Sequence, residues 1–129
     1  MVIHRIEVAP RDGVDDAQGR AALASASASG HGPLPTGIHC ARVYLLDGEL
    51  IESELETVQQ DLLGNPVTEE AVVGARDPGA SSVIEVHPLP GVTDPDADSV
   101  ELALSSLLGR SIPVRTGIRY DMDGLDSKA

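Results

Sequence analysis

The chain has 129 residues, of which 41% are hydrophobic and 23% charged, and its formal net charge is −12. That length holds one domain, or two small units that share a core. So acidic a surface would repel a phosphate backbone or an anionic membrane, which argues against nucleic-acid and membrane partners.

Elements follow in order along the chain. Val2 to Val8 alternates apolar and polar residues, as a half-buried strand does, and Pro10 and Gly13 close it. Asp15 or Asp16 is placed to cap a small-faced helix running through Ala17, Leu23 and Ala26. Gly30 to Pro35 is a loop. Ile38 to Leu46 reads as a second strand, ended by Asp47-Gly48. Ile51, Leu55, Val58 and Leu62 then recur at helical spacing, with Glu49, Glu52, Glu54 and Glu56 in the early turns where the helix dipole favours acids. Gly64 stops this helix and Asn65-Pro66 prevents its continuation. Val67 to Val73 is a third, short strand, and Gly74 to Ser81 has linker composition.

Val83 to Val86 is the next strand. Asp94 is a suitable N-cap, with Pro95 at the first helical position, where the missing N–H costs nothing. Ala97, Val100, Leu104, Leu107 and Leu108 form the apolar face of the helix that follows, and Gly109 ends it. Val114 to Met122 is the return strand, and Asp123 to Ala129 reads as a polar tail.

A motif occurs twice in this order. Ile6-Glu7-Val8, then Pro10, Gly13-Val14 and Asp16, match Ile84-Glu85-Val86, Pro88, Gly91-Val92 and Asp94 at the same offsets. Pro90, between Pro88 and Gly91, has Asp12 at its place in the first copy. A repeat implies that one unit is used twice and that the copies pack on each other. The expected fold is α+β: an antiparallel sheet with helices on one face, built from duplicated strand–helix–strand units that form a pseudo-dimer. Residues 1–81 make a first βαβαβ unit with its linker, 82–122 a partial βαβ unit, and 123–129 the tail.

The chemistry-bearing residues are scattered. The sequence has no phosphate-binding Gly-x-x-x-x-Gly-Lys loop, no Gly-x-Ser-x-Gly and no Cys-x-x-Cys. His39 and Cys40 are adjacent, but neighbours on a strand point to opposite faces and cannot act as base and nucleophile. The four histidines lack ligand spacing, and Asp94, Asp96 and Asp98 suit a helix N-terminus better than a calcium loop. The single cysteine forms no intrachain disulfide, no apolar run approaches a membrane span of ~20 residues, and the start of the chain is unlike a signal peptide. The expected location is therefore the cytoplasm. Arg115, Arg119 and Tyr120 are a basic–aromatic cluster in an acidic chain, suited to a docking contact.

The run Ile84-Glu85-Val86-x-Pro88-x-Pro90-Gly91-Val92-x-Asp94-Pro95 resembles the opening strand and turn of the small-subunit component of phosphoribosylformylglycinamidine synthase. Val114-Arg115-Thr116-Gly117-Ile118-Arg119-Tyr120 resembles that family's next strand, and Leu62-Leu63-Gly64-Asn65-Pro66-Val67 its helix end. Ala41 to Gly48, with Arg42 and Tyr44, also fits. The doubled arrangement resembles the region ahead of the catalytic domain in long-form large subunits. The resemblance implies a non-catalytic assembly domain of a purine-biosynthesis ligase, which makes its amidine product with ATP and glutamine-derived ammonia. It implies no cofactor in this chain, with ATP and magnesium confined to the catalytic domain or subunit. Its partners would be that domain or subunit and the glutaminase subunit, with a homo-oligomer also possible. Arg42, Tyr44, Arg115, Arg119 and Tyr120 are the candidate interface residues. Pro10, Gly13, Pro88, Pro90, Gly91 and Asp94 are the turn-forming ones. The competing expectation is a small ligand-binding regulatory module, since duplicated strand–helix–strand units also bind effectors.

Overall fold

A computed structural model describes residues 2–30, 34–75, 82–89 and 92–124. Five strands form one antiparallel sheet: β1 (Ile3–Pro10), β2 (Gly37–Asp47), β3 (Glu69–Val73), β4 (Ser82–Val86) and β5 (Val114–Asp123). Their spatial order is β3-β1-β2-β5-β4, and every neighbouring pair is antiparallel. Helices α1 (Ala17–Ser29), α2 (Glu52–Thr57) and α3 (Pro95–Leu108) complete the α+β architecture. Asp123 belongs to β5 and not to a tail, because its strand pairs with Gly37. The expected loop at 31–33, most of the linker, Pro90, Gly91 and residues 125–129 lie outside the described residues.

The core lies between one side of the sheet and two of the helices. Ile6 and Val8 of β1, Tyr44 and Leu46 of β2 and Val114 of β5 meet Val58, Leu63, Ala97 and Leu104 there. The helix expected through Leu62 is α-helical only to Thr57 and then widens into a π-helical turn, Val58–Leu62, closed by Leu63 N–H donating to the Val58 carbonyl at 3.1 Å. The wider turn with its i→i+5 hydrogen bond brings Leu63 round towards the side of Val58, and both are buried. A regular helix would have turned Leu63 away from the Leu55–Val58–Leu62 stripe.

Helix ends follow their sequence signals. Asp16 caps α1 through Gly19 N–H and Asp94 caps α3 through Ala97 N–H. Gly30 and Gly109 close the two helices in the left-handed conformation, at φ +67° and +72°. A side chain at that φ is strained, so Gly109→Ala is expected to cost about 1 kcal/mol in chemical denaturation, with no change in the fold.

The registers place the two Ile-Glu-Val segments alike. Ile6 faces Tyr44 and Val8 faces Arg42 in the β1–β2 ladder. Ile84 faces Tyr120 and Val86 faces Ile118 in the β4–β5 ladder. Between β2 and β5, Arg42 faces Ile118. Tyr44-Leu45-Leu46-Asp47-Gly48 and Tyr120-Asp121-Met122-Asp123-Gly124 thus hold corresponding places, each with Tyr, Asp and Gly at the same spacing.

Candidate functional site

The two capping aspartates do more than cap. Asp16 uses one oxygen for Gly19 N–H, at 2.8 Å, and the other for Cys40 N–H on β2, at 2.9 Å. Asp94 uses one oxygen for Ala97 N–H and the other for Thr116 N–H on β5, both at 3.1 Å, and both oxygens also meet the Thr116 hydroxyl. Each carboxylate pins the start of a helix to the strand that follows it. Burial works against the Asp94 charge, but the Ala97 and Thr116 hydrogen bonds outweigh it and hold its pKa below the usual carboxylate range.

Between these two helix starts lies a cavity of about 430 Å³, lined by Gln18, Arg42, Tyr44, Asp94, Asp96 and Ile118 among others. Arg42 is committed on its floor. It makes a bidentate pair with Glu69 at 3.0 and 2.9 Å, donates to the Tyr44 hydroxyl at 3.1 Å and stands 5.8 Å from that ring's centre. Pro88 also lines this cavity. Pro10 ends β1 opposite Glu69, and Gly13 lies in the turn that follows.

The opposite side of the sheet carries a chain of ion pairs. Glu7 is fully buried and Arg119 is 4% exposed. Arg119 donates to both Glu7 oxygens, at 3.0 and 3.2 Å, and to Asp121 at 2.7 Å. Arg5 holds the Glu7 carboxylate from the other side at 2.7 Å and also reaches Glu85, which meets His87 at 3.2 Å. Burial opposes the Arg119 charge, yet Asp121's hydrogen bond and the attraction of Asp121 and Glu7 raise its pKa. Arg5 is on β1 and Glu85 on β4, with β2 and β5 between them. The network thus spans four strands, with Glu7 and Arg119 buried at its centre and Arg5 and Glu85 keeping a quarter or more of their side chains exposed at its ends.

The expected interface residues therefore divide. Tyr44 is enclosed in the core and Arg119 in the ion network, so neither offers a surface to a partner. Glu7 falls on the polar side of the alternating strand Val2 to Val8, yet it is buried there against Arg119. Arg115 is exposed, Arg42 is partly so, and Tyr120 is half-buried between Cys40 and Ile84. Pro90 and Gly91 lie outside the described residues. Sequence reasoning missed the Glu7–Arg119 pair and the strand-pinning role of the two aspartates. The second Tyr-x-x-Asp-Gly would have been the signal for the ladder correspondence.

Cys40 is buried, while His39 is exposed and pairs with Asp123 at 3.1 Å. Burial pushes the Cys40 thiol up to about 11, with Asp16 and Asp121 adding to the shift, so it is a poor nucleophile at neutral pH. Among the described residues no three His, Cys, Asp or Glu side chains come together as a metal-holding group, and no helix is long and apolar enough to cross a membrane. Compared with known protein families, curated proteins and solved structures, the chain matches none.

Proposed function

We propose that the chain is a non-catalytic assembly domain of phosphoribosylformylglycinamidine synthase, made of two small-subunit-like units and working in the cytoplasm. The observation that carries this reading is the correspondence of the two ladders. Each Ile-Glu-Val strand faces a Tyr-x-x-Asp-Gly strand in the same register, and Arg42 and Ile118, which hold equivalent places, face each other. Such a register suits two copies related by a pseudo-twofold axis through that pair. The matched helix caps, each pinning its strand through one aspartate, support the same reading. The motif resemblances connect a doubled unit of this kind to the synthase.

The reading has two direct tests. Purified chain is expected neither to hydrolyse ATP nor to release ammonia from glutamine, and turnover abolished by Cys40→Ala would overturn that. It is also expected to bind the synthase's ATP-using subunit in titration calorimetry. Tyr120→Ala should weaken that association by about 1–2 kcal/mol without unfolding the chain, since the ring is only half-buried. A chain with no affinity for the synthase subunits would sink the proposal. The cavity between the starts of α1 and α3 favours the second reading, a ligand-binding regulatory module. Saturable thermal stabilisation of the chain by an amino acid or nucleotide would support it.

A further inference from the structure

The two ladders are covered unequally. On the helix side, Ile6 is 0% and Val8 1% exposed, while Ile84 is 51% and Val86 55% exposed. The same residue types in the same register are thus sealed at one end of the sheet and open at the other. The segment that follows β2 helps to seal the first pair. After β2, the chain runs through α2, the π turn and β3, laying Val58 and Leu63 on that side and pairing β3 with the outer edge of β1. At the other end β4 is the edge strand, with no neighbour beyond it among the described residues. Half-buried Tyr120 stands opposite Ile84 as Tyr44 stands opposite Ile6, and half-buried Met122, two residues on, holds the place of Leu46.

We infer that the β4 edge, with Ile84, Val86, Tyr120 and Met122, is a docking surface for a helix–turn–strand segment of a partner protein. That segment covers the apolar side as α2 and the π turn do, and adds its strand antiparallel to β4 as β3 adds to β1. The occupant's form comes from the intramolecular example, because nearly the same four side chains are already covered in that way at the first ladder. Its charge follows from complementarity: a chain of net charge −12 attracts a basic segment and repels a second copy of itself. Main-chain pairing along an open edge supplies affinity, and the apolar pockets beside it select the register. This inference rests on the ladder correspondence and does not require the partner to be a synthase subunit.

The test uses the full chain and a synthetic peptide with the sequence of residues 50–74. The peptide carries Glu52→Lys, Glu56→Lys, Asp61→Lys and Glu70→Lys at four positions exposed in the chain. Hydrogen exchange is read at the β4 amides. Exchange there is expected to slow by about fivefold or more with millimolar peptide, while β3 amides, held by their own covalent segment, keep their rates. Ile84→Lys and Val86→Lys, both at exposed positions on the edge, are each expected to abolish the slowing without changing the circular dichroism of the chain. Unchanged β4 exchange, or slowing that persists in both variants, overturns the inference. So does a concentration-dependent dimer in sedimentation that Val86→Lys converts to monomer, because a second copy would then be the occupant. Failure of the synthase titration with a positive peptide result would remove the functional reading and leave this surface standing.

Discussion

Arg119→Met is expected to destabilise the chain by about 3 kcal/mol in urea denaturation, with the midpoint shifted and the slope unchanged. The reason lies in what is left behind. Glu7 has no exposed surface, and Arg119 supplies hydrogen bonds to both its oxygens. Methionine fills much the same volume but leaves a buried carboxylate short of donors, and removing one partner of a buried pair typically costs about 3–5 kcal/mol. Arg5 still holds one Glu7 oxygen, which keeps the loss at the low end of that range. Replacing both partners, with Glu7→Leu and Arg119→Met together, should recover part of the loss, since the buried Glu7 charge is then gone while Asp121 still loses its hydrogen bond from Arg119. The loss should also persist at high salt, because buried charges are screened little. A cost below 1 kcal/mol, or one that salt abolishes, would mean that the Glu7–Arg119 pair is hydrated.

The helices and most of the strands were legible in the sequence because their signals are local. Alternation marked β1 and β2, the Asp94-Pro95 pair marked the start of α3, and Gly109 marked its end. The π turn was hidden because the Leu55–Val58–Leu62 stripe satisfies a regular helix; only the adjacent Leu63 hinted that a wider turn would bury one more leucine. The β2–β5 pairing has no local signal at all, since it joins residues about 80 positions apart whose register is set by packing. The burial of Glu7 and Arg119 was invisible for a related reason. Period-two alternation assigns a residue to a side of the sheet, but the long-range partners Arg5 and Arg119 enclose Glu7 on that side. Both sides of β1 are buried at Ile6, Glu7, Val8 and Ala9, which no alternating pattern would announce. Of the site, the capping aspartates were read as caps alone, because their second hydrogen bonds reach strands that lie more than 20 residues away.

Asp94→Ala is expected to cost about 2–3 kcal/mol, more than a helix cap alone is worth. The cap to Ala97 accounts for about 1 kcal/mol of this. The remainder comes from the Thr116 N–H and hydroxyl, which lose a charged acceptor in a partly buried place. Asp94→Asn should cost about half as much, because the amide offers one acceptor oxygen where the carboxylate uses two. The charge gives the effect a pH signature. The folded pKa of Asp94 is depressed, so the unfolded chain binds the proton more readily. The stability it contributes is complete above the unfolded carboxyl value of about 4, and is lost as pH falls through the lower folded value. Wild type and Asp94→Asn should therefore converge in stability on acidification below about pH 4 and differ by a constant amount from pH 5 to 8. Denaturation curves across that range decide it. A gap that stays constant down to pH 2 would mean that the carboxylate's charge contributes nothing and that geometry alone joins α3 to β5.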